Sequence, residues 1–203
     1  CSMPNVILKK RSQVFGYYDH NMMVMFERTK DHIEKPKKFT PRQKLWYIRA
    51  KEVIISTGSI ERPLVFGNND RPGILLASAA KEYMKVFGVL VGKKPVIFTN
   101  NDSAYDTAIE FKKNGINSIV IDTRPTSASL VVREARNLNI KIKFSSGIVN
   151  TKGYRKVNSA TIGKLNGDKS GYENFEEISC DCICVSGNWT PTVHLSSQSG
   201  NKL

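Results

Sequence analysis

Near the middle of the chain a short polar run, Thr99-Asn100-Asn101-Asp102-Ser103-Ala104, closes the strand-like stretch Pro95 to Thr99 and opens a helix-like stretch from Ser103 to Lys113. Strand, tight turn and helix N-terminus in that order form the first turn of a dinucleotide-binding βαβ unit. There, glycines spaced GxGxxG or GxGxxA let the backbone approach a pyrophosphate. Here Thr99 and Asn101 stand at the first two glycine positions, and only Ala104 fits the third. An asparagine at that point crowds a phosphate, although it tolerates positive φ and donates hydrogen bonds of its own. The run reads either as an altered nucleotide turn with Asn101, Asp102 and Ser103 as contacts, or as a Rossmann-like unit that has lost or changed its nucleotide.

Asp122 ends the following strand, 21 residues after Asn101, where an acidic side chain takes the ribose 2′-hydroxyl of NAD. Arg124, two residues on, suits a 2′-phosphate instead. The spacing favours Asp122 and NAD over NADP, while an aspartate after a strand also serves as a turn or helix cap.

Cys180, Cys182 and Cys184 alternate along another apolar run, which places them on one face of a strand. A zinc site would need ligands from a second element, with His194 the nearby histidine, so thiols packing a sheet are the preferred reading and no metal is expected. The spacing makes no disulfide framework and fits a reducing, cytoplasmic compartment. The absence of CxxC counts against a thioredoxin-reductase redox pair. His20 and His32 lack a companion Ser or Cys nucleophile, and no triad or paired-carboxylate site is visible, so no catalytic residue is expected in the chain.

The elements that must position these residues fall into two styles. Val6 to Lys10, Gln13 to Tyr18, Met22 to Arg28 and Lys44 to Ala50 are short runs rich in β-branched, aromatic and Met residues, separated by turn formers. Lys51 to Gly58 predicts a strand buried on both faces, because its apolar residues are consecutive. Ile74 to Phe87 shows helical spacing with Gly88 as C-cap. Strands Pro95 to Thr99, Ser118 to Ile121 and Ile140 to Phe144 then alternate with helices Ser103 to Lys113 and Ser129 to Leu138, which implies βαβ units and a parallel sheet. Hairpins follow from Gly147 to Asn166, with turns at Lys152-Gly153 and Asn166-Gly167, before a last buried strand, Cys182 to Gly187.

The expected fold is α/β: a Rossmann-like three-layer domain on a parallel sheet, with added β-hairpin and antiparallel segments. Residues 1–73 read as the β-rich end of a first dinucleotide-binding domain of FAD or NAD type, and residues 74–203 as a second domain of NAD type. VIISTGSIERP (Val53 to Pro63) echoes CICVSGNWTP (Cys182 to Pro191): buried strand, small hydroxyl residue, glycine, short turn, proline. Each echo ends a strand on a glycine where backbone can meet a ligand, which adds Thr57, Gly58 and Gly187 to the candidate cofactor contacts.

With 203 residues, 40% hydrophobic and 24% charged, the chain has material for a packed core and is neither disordered nor fibrous. Its apolar runs fall far short of the roughly 20 residues that span a bilayer. The start at Cys1 and the lack of a signal peptide suggest an excerpt of a longer chain. The net charge of +13 is strongest toward the N-terminus, where residues 1–62 carry 13 Lys+Arg against 6 Asp+Glu. No helix carries a basic stripe, and Tyr17, Tyr18, Trp46 and Tyr47 lie in strand-like segments where one face is normally core. Solvated surface, or a face for cofactor phosphates or an acidic partner subunit, is therefore preferred over a nucleic-acid footprint. A non-catalytic basic binding module remains the alternative of a different class.

VFGYYDHN (Val14 to Asn21), LWYIRAKEVIISTGSIERPLVFGNNDRPGILLASA (Leu45 to Ala79), FTNNDSAYDTA (Phe98 to Ala108) and SGNWTPTVHLSSQSGNKL (Ser186 to Leu203) resemble the alpha subunit of heterotetrameric sarcosine oxidase. The wider kin are flavoproteins with two dinucleotide-binding domains, similar to thioredoxin reductase. The resemblance implies a fragment of a multisubunit, FAD-dependent oxidoreductase acting on CH–NH bonds. That enzyme demethylates sarcosine to glycine using flavin (FAD or FMN) in a partner subunit, and passes the one-carbon unit to tetrahydrofolate bound in a C-terminal half outside this chain. It also implies NAD on the alpha subunit, other sarcosine oxidase subunits as partners, no nucleic acid or membrane, and an isolated chain without activity. A subunit of another amine, opine or proline dehydrogenase is the alternative enzyme.

Overall fold

The computed structural model describes residues 3–168 and 170–200. Among the described residues two compact units emerge: residues 3–59 with 191–200, and residues 60–190. The sequence reading placed its boundary at 73/74. Residues 60–73 join the second unit instead, because Phe66 packs edge-on against Phe98 at 5.7 Å and the Gly67 N–H bonds the Val149 carbonyl at 2.8 Å.

In the first unit β1 (Ser12–Tyr18), β2 (Met22–Arg28) and β3 (Gln43–Arg49) form an antiparallel meander in that order. Tyr17, Val24 and Met25 are its buried hydrophobic side chains. Two expected strands are absent. Residues 6–10 and 51–58 have no neighbouring strand among the described residues, and a lone extended segment cannot pair its peptide groups. Ile54, expected in a core, is 94% exposed.

β4 (Ser59–Glu61) pairs with β13 (Trp189–Pro191) in a two-stranded ribbon, so the two echoed segments lie side by side. The Arg62 N–H reaches the Asn188 carbonyl at 2.8 Å, and the Thr192 N–H reaches the Gly58 carbonyl at 3.0 Å.

The second unit has three layers. Its central sheet is parallel, in the order β5 (Ile74–Leu76), β12 (Cys182–Ser186), β6 (Pro95–Thr99), β7 (Ile119–Asp122), β8 (Lys141–Lys143). Ile74 to Leu76, expected as helix, form its edge strand, because three consecutive apolar residues pair with Ile183 to Val185. The helix α1 (Ala77–Phe87) starts after them and stops at Gly88, whose φ of 64° brings its N–H onto the Met84 carbonyl.

Side chains alternate between two cores. Ile97, Val120, Cys182 and Cys184 face α1, α2 (Ser103–Lys113) and α3 (Leu130–Asn137) through Ala80, Tyr105, Ala108, Phe111 and Val132. Val96, Phe98, Ile121, Ile183 and Val185 face a second antiparallel meander of β9 (Ser146–Lys152), β10 (Ser159–Leu165) and β11 (Tyr172–Ser179) through Ile148, Ala160 and Ile162. The short α4 (His194–Gln198) belongs to the first unit, where the Tyr17 N–H bonds Gln198 Oε1 at 3.0 Å.

Candidate functional site

The three inner strands of the parallel sheet end level with one another. Ser186 pairs with Thr99, and Thr99 pairs with Asp122. All three polar residues are fully buried, so the carboxyl edge of the sheet is a row of polar groups that must find partners inside the protein. From β6 the chain continues to one side through β7 and β8, and β12 returns on the other side. The β6/β12 boundary is thus the topological switch point, where an open α/β sheet receives its ligand.

Asn101 occupies that point. No residue from 99 to 103 adopts positive φ, so the turn does not require glycine. Thr99 shapes it instead: its hydroxyl accepts from the Asn101 N–H at 3.0 Å and donates to the Asn101 carbonyl at 3.1 Å. Asn101 Nδ2 donates to the Ser186 carbonyl at 3.1 Å, with the Ser186 hydroxyl at 3.2 Å and Asn100 Oδ1 at 3.3 Å. Oδ1 accepts from the Ser103 N–H at 3.0 Å and the Ser103 hydroxyl at 2.6 Å. The Ser103 hydroxyl in turn accepts from the Trp189 indole N–H at 2.8 Å. The amide has used its donors and acceptors, and it caps the first turn of α2 where a pyrophosphate oxygen would be held.

Asp122 ends β7 at the expected place, with both carboxylate oxygens engaged within the chain. Oδ2 accepts from the Tyr105 hydroxyl at 2.7 Å and from Arg124 Nη2 at 2.8 Å; Oδ1 accepts from Arg124 Nε at 3.1 Å and from the Arg124 N–H at 2.9 Å. Arg124 reaches on through Nη1 to Asp102 Oδ1 at 2.7 Å. Burial and then the bond to Asp122 push the Tyr105 phenol far above its ordinary range. The carboxylate of Asp122 also strengthens the hold of Arg124 on its proton. Against the upward push of partial burial, Arg124, Ser129 and Ser127 hold the Asp102 carboxyl below the usual range.

The two glycine-ended segments differ. A side-chain carbon on Gly187 would lie 2.8 Å from the Pro63 carbonyl oxygen and 3.0 Å from that of Arg62, so residues 62–63 already occupy the close approach that glycine permits. Gly58, with φ of 72°, has nothing within 4 Å of that position. Thr57, beside it, is exposed and donates its hydroxyl to the Thr192 carbonyl at 2.6 Å. Of the expected contacts, the structure brings Asn101, Asp102 and Ser103 together around the α2 N-terminus. Asp122 joins them through Arg124, and Gly187 follows the Ser186 that Asn101 holds. Thr57 and Gly58 lie in the other unit.

Ser186, Tyr105 and Trp189 complete this network and were not anticipated. Ser186 had a signal, since it precedes the echoed glycine as Thr57 precedes Gly58. Glu61 was also missed. It is 5% exposed and accepts from the Ser78 N–H at 2.9 Å and the Ser78 hydroxyl at 2.5 Å, which caps α1.

Cys182 and Cys184 share a face, with sulfurs 3.7 Å apart. Cys180 departs from the expected single face: it precedes β12 and packs in the opposite core with Val157 and Ile162. Burial pushes its thiol up to about 12. The Cys182 hydrogen bond and then burial raise that of Cys184. Among the described residues no group of three or more His, Cys, Asp or Glu could hold a metal ion, and no helix is long and apolar enough to cross a membrane.

No family model matches the chain. It is 34% identical over 99% of its length to the sarcosine oxidase subunit alpha of Rhizobium meliloti (strain 1021), and 36% identical over 96% to that of Corynebacterium sp. (strain P-1). The resemblance read from the sequence is thereby borne out across the chain, which spans about a fifth of the length of these relatives. Thioredoxin reductase of T. acidophilum superposes with a TM-score of 0.64 at 17% identity, covering 95% of this chain and 57% of that one. L-proline dehydrogenase from P. horikoshii gives 0.54 at 21%, covering 94% and 30%. Both share the expected Rossmann-like fold with its parallel sheet and antiparallel additions.

Proposed function

We propose that the chain is the dinucleotide-fold part of the alpha subunit of a multisubunit sarcosine oxidase. The observation that carries this is the match, continuous along nearly the whole chain, to proteins named as that subunit. In this reading residues 1–59 with 191–203 are the end of a first dinucleotide-binding domain, and residues 60–190 are a second domain of the same fold. The assembly oxidises the N-methyl group of sarcosine, releases glycine, and hands the carbon to tetrahydrofolate. Flavin sits in a partner subunit, and the chain supplies fold and docking surface rather than reacting groups. An NAD-class nucleotide on the alpha subunit would find open backbone at Thr57-Gly58, where nothing crowds the glycine. Three buried free thiols support a reducing, cytoplasmic setting.

The test is purification of the assembly through a tag on this chain, followed by amine-dependent peroxide formation. Turnover of sarcosine well above proline and opines supports the reading. Turnover of proline or an opine without sarcosine replaces it with a related amine dehydrogenase.

A further inference from the structure

The second unit has the fold of a nucleotide domain, yet its switch point does not fit a nucleotide. The Asn101 side chain stands where the fingerprint needs a bare backbone, and its amide runs from the loop after β6 to the end of β12, across the crevice. The first N–H of α2, that of Ser103, is already bound by Asn101 Oδ1. Asp102, at the N-cap of α2, holds the Arg124 guanidinium at 2.7 Å, so that cation is already engaged within the chain. Asp122, the residue placed for a ribose hydroxyl, is fully buried beneath Arg124 and Tyr105. The Gly187 approach is filled by the carbonyls of Arg62 and Pro63. Trp189 ties the segment after β12 back to Ser103.

We infer that Asn101 bolts the crevice of the second unit shut, so that residues 60–190 are a dinucleotide fold that carries no dinucleotide. Hydrogen bonds that would otherwise go to a pyrophosphate and a ribose are made within the chain: Asn101 to Ser186 and Ser103, Asp122 to Arg124 and Tyr105. The unit keeps its shape without a cofactor because each polar group in the buried row at the sheet edge has an internal partner. Breaking that set to admit a ligand would expose Ser186, Ser103 and Asp122 at once, and a pyrophosphate drawn to Arg124 would have to displace its bonds to Asp102 and Asp122. The inference rests on the dinucleotide fold and is independent of which amine is oxidised.

Hydrogen exchange on the protein in its complete, assembled form, with and without saturating NAD, NADP or FAD, tests it. Peptides covering 99–105, 122–127 and 185–189 are expected to exchange at the same rate in all conditions, including any in which other segments become protected. Nucleotide-dependent protection of those three peptides would overturn the inference; loss of sarcosine turnover would not bear on it. A second arm uses Asn101→Gly. Removing the bolt is expected to quicken exchange of both 101–105 and 185–189 by about tenfold. Acceleration confined to 101–105 would show that Asn101 does not join the two edges, and the closure would fall with it.

Discussion

Asn101 Nδ2 lies 3.1 Å from the carbonyl oxygen of Ser186, a direct hydrogen bond between residues 85 positions apart that joins the loop after β6 to the end of β12. A glycine at position 101 would leave that carbonyl and the Ser103 N–H without this partner. What departs from the nucleotide fingerprint in sequence is, in the structure, a crosslink.

Asn101→Ala should therefore lower stability by about 1–3 kcal/mol, the cost of stranding buried polar groups. Asn101→Asp should cost more, because it not only loses the donor but sets a charged carboxylate oxygen against the Ser186 carbonyl oxygen. Urea midpoints of the purified protein give the order, and equal midpoints for Ala, Asp and wild type would remove the bridge as a stabilising contact.

Asp122 and Arg124 form the more deeply buried of the two ion pairs that Arg124 makes at the second unit's edge. With Asp122 fully buried and Arg124 27% exposed, Asp122→Ala should cost toward the lower end of about 3–5 kcal/mol, and Tyr105→Phe about 1 kcal/mol. A double-mutant cycle of Asp122 and Arg124 should show strong coupling. Additive losses would mean that the pair acts as two separate caps.

Alkaline pH should destabilise the second unit. Cys180, Cys184 and Tyr105 all ionise less readily folded than unfolded. Their contribution is complete below the unfolded thiol value of about 8.5. It is lost as pH rises, for Cys180 between that value and about 12. The opposite sign holds for Asp102, whose contribution is present above about 4 and lost in stronger acid. Melting temperatures across the pH range report both limbs. In the same window below pH 8.5 these thiols should resist alkylation until denaturant is added, read by peptide mass.

Gly187→Ala should cost about 1–3 kcal/mol, since the methyl would meet the backbone of residues 62–63. Gly58→Ala meets no neighbour and should cost only the left-handed strain, about 1–2 kcal/mol. A larger loss from Gly58→Ala than from Gly187→Ala would remove the contrast between a filled and an open approach.

Much of the second unit was legible because its periodicities are unambiguous. Strand β6 and helix α2 fall on the residues that spacing assigns. Residues 51–58 misled, because consecutive apolar residues signal burial but cannot supply the neighbouring strand that burial requires. Ile74 to Leu76 misled in the other direction: three apolar residues before a helix fit its period and were counted into it. At the candidate site, the missing glycines were visible in the sequence, whereas the partner of Asn101 was not. Ser186 lies far along the chain, and only the register of β12 beside β6 reveals that the two ends are level.

The ribbon of β4 and β13 has a practical consequence. Gly58 and Thr192, each one residue inside the points where the first unit's backbone breaks off at Ser59 and resumes at Pro191, are joined by a peptide hydrogen bond of 3.0 Å. Residues 60–190 are in effect an inserted cassette, entering and leaving by adjacent doors. A short turn from Gly58 to Thr192 should close the first unit over their removal, and another compact domain with neighbouring termini could be spliced in their place.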